Sequence, residues 1–278
     1  MKKILPLLLA LLLLTGCKGR ETYEIVATTA PVWQFSQAVC AGTGLEVGLV
    51  VSDSVSCLHD YTLSIRQMVA IEKARVVILS GAHLEDFMAD ALQDKELRIE
   101  CADGISLLPS EDGGWDPHVW LDPDNAAIMT RNIADGLSDL YPELEPQFQE
   151  NAEAYCARLS ALKADCVSSL DSLSCRELVT FHDGFAYFAQ AFDLHILAAI
   201  EEESGSEASA KELQSLTALL EENRIPAVFV EKNGSRSAAS VLTGETGCRI
   251  GVLDTVMSGT DYFEAIAGNV AAVKEALQ

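Results

Sequence analysis

The chain has 278 residues and a formal net charge of −23, from 42 Asp and Glu against 19 Lys and Arg. A surface this acidic repels nucleic acid and draws cations or a partner with a basic face, so no nucleic-acid partner is expected. The length suits one large domain or two lobes of ordinary size.

The chain opens on Met1-Lys2-Lys3, followed by an unbroken apolar run from Leu7 to Leu14 and then Thr15-Gly16-Cys17. A basic start before a short apolar core predicts a secretory signal over 1–16, too short to count as a spanning helix. Cys17 directly after Leu14-Thr15-Gly16 resembles the bacterial lipobox, in which the Cys becomes the lipidated first residue of the mature protein. The plainer alternative is an ordinary signal with an incidental Cys. With the lipobox reading, 17–22 form a lipidated tether. The protein is then expected outside the cytoplasm, held to the cell membrane at the surface or in the periplasm by its lipid anchor.

From Tyr23 onward short apolar strands alternate with helical spacings. Strands are expected at 23–28, 45–51, 75–79 and 97–101, and helices at 31–41, 62–73 and 84–93. The run 75–79 is short and β-branched, as in a strand buried on both faces. From Pro123 to about Cys166 only helical periodicity appears, broken at Tyr141-Pro142, and Leu144, Phe148, Ala152, Tyr155, Leu159 and Leu162 trace one apolar stripe. Alternation then resumes, with strands at 177–180, 194–200, 227–230 and 249–253. Ser209 and Glu212 carry a capping-box spacing for the helix that follows, and 262–277 closes the chain as a helix. The expected class is α/β: two lobes, each a mainly parallel sheet flanked by helices, joined by one long rigid linker helix. The divisions are an N-terminal lobe over 23–141, a linker over 142–173 and a C-terminal lobe over 174–278.

The chemistry gathers at the histidines, of which there are five. His118 sits in Asp116-Pro117-His118-Val119-Trp120-Leu121-Asp122-Pro123, between two Asp-Pro corners. Asp122 is placed to cap a helix whose first position Pro123 fills, and proline biases both preceding Asp residues away from helix. His59 follows the second strand and His182 follows 177–180, at the carboxyl ends where open α/β sheets place ligands. Asp60 and Asp183 stand close enough in sequence to orient those two rings. Three imidazoles about sixty residues apart, joined by Asp254 just past the strand 249–253, make a donor set suited to Zn²⁺. Mn²⁺ prefers more oxygen, though softness alone does not exclude it. Apart from Cys17 there are seven cysteines, an odd number without a Cys-x-x-Cys spacing, read as small buried hydrophobes rather than as a disulfide framework.

The His118 segment, Phe181-His182-Asp183-Gly184-Phe185-Ala186-Tyr187-Phe188, Leu253-Asp254, Glu207-Ala208-Ser209-Ala210 and Val228-Phe229-Val230-Glu231 resemble motifs of the zinc/manganese solute-binding lipoproteins of ABC transporters. The resemblance covers essentially the mature chain. It implies two lobes joined by a rigid helix, a metal at their interface and delivery of that metal to a membrane permease. Position by position it implies His59, His118 and His182 as ligands with Asp254 as the fourth. Manganese members often carry Glu where His182 stands, so this chain is similar to the zinc branch. It departs in two places: Asp60-Tyr61-Thr62 stands where the family commonly has Tyr-Glu-Pro, and Pro109-Ser110-Glu111-Asp112-Gly113-Gly114 holds no His-rich loop.

The leading expectation is a monomeric, non-catalytic binder of zinc, with manganese as the alternative cargo. An exported zinc hydrolase, with Asp254 or Glu231 as general base, is the competing class. It lacks support from a His-Glu-x-x-His or Gly-x-Ser-x-Gly motif. A surface adhesin is a third class, and no dedicated module for it is present.

Overall fold

A computed structural model of the chain describes residues 23–52, 58, 61–110, 113–200 and 209–278; the leader, Cys17, Cys57 and His59 lie outside the described residues. β1 (Ile25–Ala27) is buried throughout, and Pro31 enters the first turn of α1 (Ala30–Val39), where a missing N–H costs no intrahelical bond. β2 (Val47–Leu49) follows. α2 (Ile65–Lys73) begins behind Ser64, whose hydroxyl and the side chain of Gln67 cap each other reciprocally. β3 (Val76–Leu79) is buried at all four positions, as its unbroken apolar run required.

The helix expected over 84–93 is instead a 3-10 turn, Asp86–Met88, and a single-turn helix α3 (Ala89–Leu92). Gly81, Ala82 and His83 all have positive φ, so the chain enters this stretch through a left-handed turn. Its hub is Glu85, whose Oε1 accepts from the Thr28 hydroxyl (2.6 Å) and Ser80 N–H (2.7 Å), while Oε2 accepts from Gly81 N–H (3.0 Å). Burial drives the Glu85 carboxyl up to about 7 against those hydrogen bonds. A carboxyl raised on folding stabilises most below its unfolded value and loses that contribution as pH climbs through its folded value. The metal-free chain is therefore expected to lose up to about 3 kcal/mol from this group between pH 4.5 and 7. Urea unfolding at pH 5 and pH 7 should show a smaller difference in Glu85→Gln than in the parent.

β4 (Arg98–Glu100) closes the first sheet. A 3-10 turn, Val119–Leu121, leads into α4 (Pro123–Leu140), where Asp122 is extended and its carboxylate accepts from Asp124 N–H. The break at Tyr141-Pro142 turns the chain into the longest helix, α5 (Glu145–Ser169), which packs along α4. The second lobe runs β5 (Glu177–Thr180), α6 (Ala186–Ala191), β6 (His195–Ala199), α7 (Ala210–Asn223), β7 (Ala227–Glu231), α8 (Ser237–Thr246), β8 (Arg249–Leu253) and α9 (Tyr262–Leu277). Ser209 and Glu212 form the capping box expected for α7.

Both sheets are parallel and share one topology, β2-β1-β3-β4 and β6-β5-β7-β8. In each, strand order reverses beside the first strand, so each sheet opens a crevice at its carboxyl end. The lobes are fastened to each other. One continuous buried cluster runs from Ile25 and Val77 through Trp120 and Phe148 to Phe188, Phe229 and Tyr262. The indole N–H of Trp120 donates to Thr255 O (2.8 Å), the Tyr262 hydroxyl donates to Trp120 O (2.7 Å), and Gln34 bonds Thr260 and Tyr262. The six described cysteines are all unpaired, five of them buried, which fits the small-hydrophobe reading. Among the described residues no helix is long and apolar enough to cross a membrane.

Candidate metal centre

The site grows from the Asp116-Pro117 corner. Asp116 Oδ1 accepts from the backbone N–H of His118 (2.9 Å) and from its Nδ1 (2.8 Å). Both residues are buried. That bond puts the ring proton on Nδ1 and leaves the Nε2 lone pair of His118 free to coordinate. The indole of Trp120 lies 5.3 Å from the imidazole, centroid to centroid, and walls the ring on one side.

His182 arrives from the other lobe, in the turn after β5. Its Nε2 stands 3.3 Å from Nε2 of His118, with the rings perpendicular and their centroids 5.0 Å apart. Two nitrogens bound to one tetrahedral zinc at about 2.0–2.1 Å would lie about 3.3–3.4 Å apart. The observed spacing fits a shared dication. Asp183 reaches back across the lobes, its Oδ2 accepting from the Ser110 hydroxyl at 3.4 Å.

Gly184 is what lets the two rings meet. A Cβ there would stand 2.5 Å from Nε2 of His182 and 3.0 Å from Cε1 of His118, closer than packed atoms tolerate. Gly184→Ala is expected to weaken metal binding by about ten- to a hundredfold, the scale on which misoriented ligands cost affinity. Competition against a chelating dye checks this, with the metal-free melting temperature as the control for folding.

Two carboxylates approach from β7 and β8. Glu231 ends β7 almost fully buried, its Oε1 accepting from the Thr255 hydroxyl at 2.8 Å. Burial lifts its carboxyl to about 7, opposed by the Thr255 bond and by His118 when that ring is protonated, and aided by Asp254. Glu231 is thus a buried carboxyl held up by its surroundings, whereas its sequence position marks it as a general base for hydrolysis and as the end of the Val228-Phe229-Val230-Glu231 motif. The signal was its position: a carboxylate ending a wholly apolar strand at the crevice of the second sheet.

Asp254 is also buried, but its bonds run elsewhere. Oδ1 accepts from Val256 N–H (2.8 Å), and Oδ2 accepts from Lys232 Nζ (2.9 Å) and the Thr260 hydroxyl (2.7 Å). Burial opposes its ionisation, yet Lys232, Thr260 and Val256 outweigh that and hold the carboxyl below its ordinary value. The structure thus brings His118 and His182 together, ties Glu231 to Thr255, and leaves Asp254 paired with Lys232. His59 lies outside the described residues, and among the described ones no group of three His, Cys, Asp or Glu side chains is gathered closely enough to hold a metal ion.

Two parallel α/β lobes thus share one core, and an imidazole from each meets the other between them. A family model described as the periplasmic component A of the zinc-uptake complex matches residues 25–276, and the chain belongs to that family. Its members are binding components of transporters rather than enzymes. The zinc-binding lipoprotein AdcA of Streptococcus pneumoniae serotype 4 is 29% identical over 307 residues, covering 99% of this chain and 61% of its own length. The chain thus spans about three-fifths of that relative. A crystal structure of ZnuA superposes with a TM-score of 0.82 at 26% identity, covering 93% of this chain and 100% of the other. The Zn(II)-bound ZnuA-like domain of S. pneumoniae AdcA superposes at 0.80 with 28% identity, covering 92% and 99% of the two chains.

Proposed function

We propose that this protein captures a divalent transition metal outside the cytoplasm, zinc in preference to manganese, and hands it to the membrane permease of an ABC transporter. The observation that carries the reading is the Nε2 pair of His118 and His182 at 3.3 Å, one ring buttressed by a buried carboxylate. His59, His118 and His182 supply nitrogen and Asp254 supplies oxygen, a set that suits zinc better than the oxygen-rich sphere manganese prefers. Four protein ligands close a tetrahedron, whereas a hydrolytic zinc keeps a position for water, so the protein binds and catalyses nothing. Cys17 carries the lipid that keeps a monomeric chain at the outer face of the cell membrane.

Elemental analysis of protein purified without added metal is expected to find one zinc per chain. Zinc at a thousand times its dissociation constant should add about 4 kcal/mol of stability, or roughly 8–16 °C in melting temperature. Manganese at the same concentration should add less. An unchanged melting temperature with zinc would defeat the proposal.

A further inference from the structure

The pairing of Asp254 with a lysine is built into the sheet. β7 and β8 run parallel with Glu231 opposite Leu253, and Lys232 N–H donates to Leu253 O at 2.8 Å. This register sets Lys232 beside Asp254. The ammonium donates to Asp254 Oδ2 (2.9 Å) and to the Thr260 hydroxyl (2.7 Å), and that hydroxyl donates in turn to the same Oδ2 (2.7 Å). Oδ2 thus already holds a fixed cation and a hydroxyl. The Asp254 side chain is 11% exposed, while the lysine side chain is 46% exposed, so solvent can receive the ammonium if it swings away.

We propose that Lys232 is an affinity-setting residue for the cargo, its ammonium competing with the metal for Asp254 and so easing release to the permease. The inference rests on the metal-binding reading above, with Asp254 as a ligand. Three neutral imidazoles and one carboxylate leave a bound dication with net positive charge. A second cation on that carboxylate either is displaced or shares its electron density. Each route weakens coordination, and each is relieved by removing the ammonium. Solvent screening at the half-exposed lysine keeps the effect moderate.

Lys232→Gln is expected to bind zinc about tenfold more tightly, with chelator-induced release slowed by a similar factor in stopped flow. Lys232→Arg, which keeps the charge, should stay close to the parent. In an Asp254→Asn background the Lys232→Gln gain should vanish, because the two residues act on one bond. Unchanged or weaker binding by Lys232→Gln overturns the proposal, as does a gain that persists without the Asp254 carboxylate. Far-ultraviolet circular dichroism and melting of the metal-free variants confirm that folded proteins are compared. If His118→Ala binds zinc as tightly as the parent, the site reading itself fails, whatever Lys232 does.

Discussion

His118→Ala is expected to lower zinc affinity on the order of a thousandfold, about 4 kcal/mol at 1.4 kcal/mol per tenfold. The imidazole is pre-set in the folded chain: Asp116 holds Nδ1 at 2.8 Å, Trp120 walls one side, and Nε2 faces Nε2 of His182. Losing the ring removes a ligand whose orientation entropy was already spent in folding. Asp116→Ala leaves the ring but frees it to rotate and change tautomer, and should cost about ten- to a hundredfold. Isothermal titration with a competing chelator separates the two magnitudes. Equal losses for both variants would mean that Asp116 acts on the fold rather than on the ring.

Trp120→Ala is expected to be the most damaging single change to stability. The indole is fully buried, its N–H donates across the lobes to Thr255 O, and its own carbonyl accepts from the Tyr262 hydroxyl. Truncation of a buried Trp costs about 3–5 kcal/mol, and the stranded Thr255 carbonyl adds about 1 kcal/mol or more. That is a large share of the roughly 5–15 kcal/mol that holds a typical domain folded, and corresponds to a fall of roughly 10–20 °C in melting temperature. Trp120→Phe fills most of the space and loses only the N–H, so it should cost about 1–2 kcal/mol. Thermal unfolding of the metal-free proteins reads both. A drop for Trp120→Ala no larger than for Trp120→Phe would place the lobe-to-lobe bond, not packing, at the centre of the effect.

Much of this architecture was legible from one-dimensional patterns, because period, capping and proline chemistry act over a few residues. Short apolar runs separated by helical spacings announced two parallel sheets, and both are present in the same strand order. Asp122 with Pro123, and Ser209 with Glu212, marked helix starts that the backbone adopts. The stretch 84–93 misled because helical spacing says nothing of the left-handed turn before it, nor of a glutamate that folds back to bond Thr28, Ser80 and Gly81.

The fold class, and the placement of His182 and Asp254 at strand ends, follow from local pattern and residue chemistry. Which atoms face which follows from tertiary packing. It set two imidazoles from different lobes at a metal-like separation, buried Glu231 against Thr255, and gave Asp254 a lysine as partner. Such pairings span many residues and depend on strand register and on the shared core between lobes. Neither leaves a trace in local spacing.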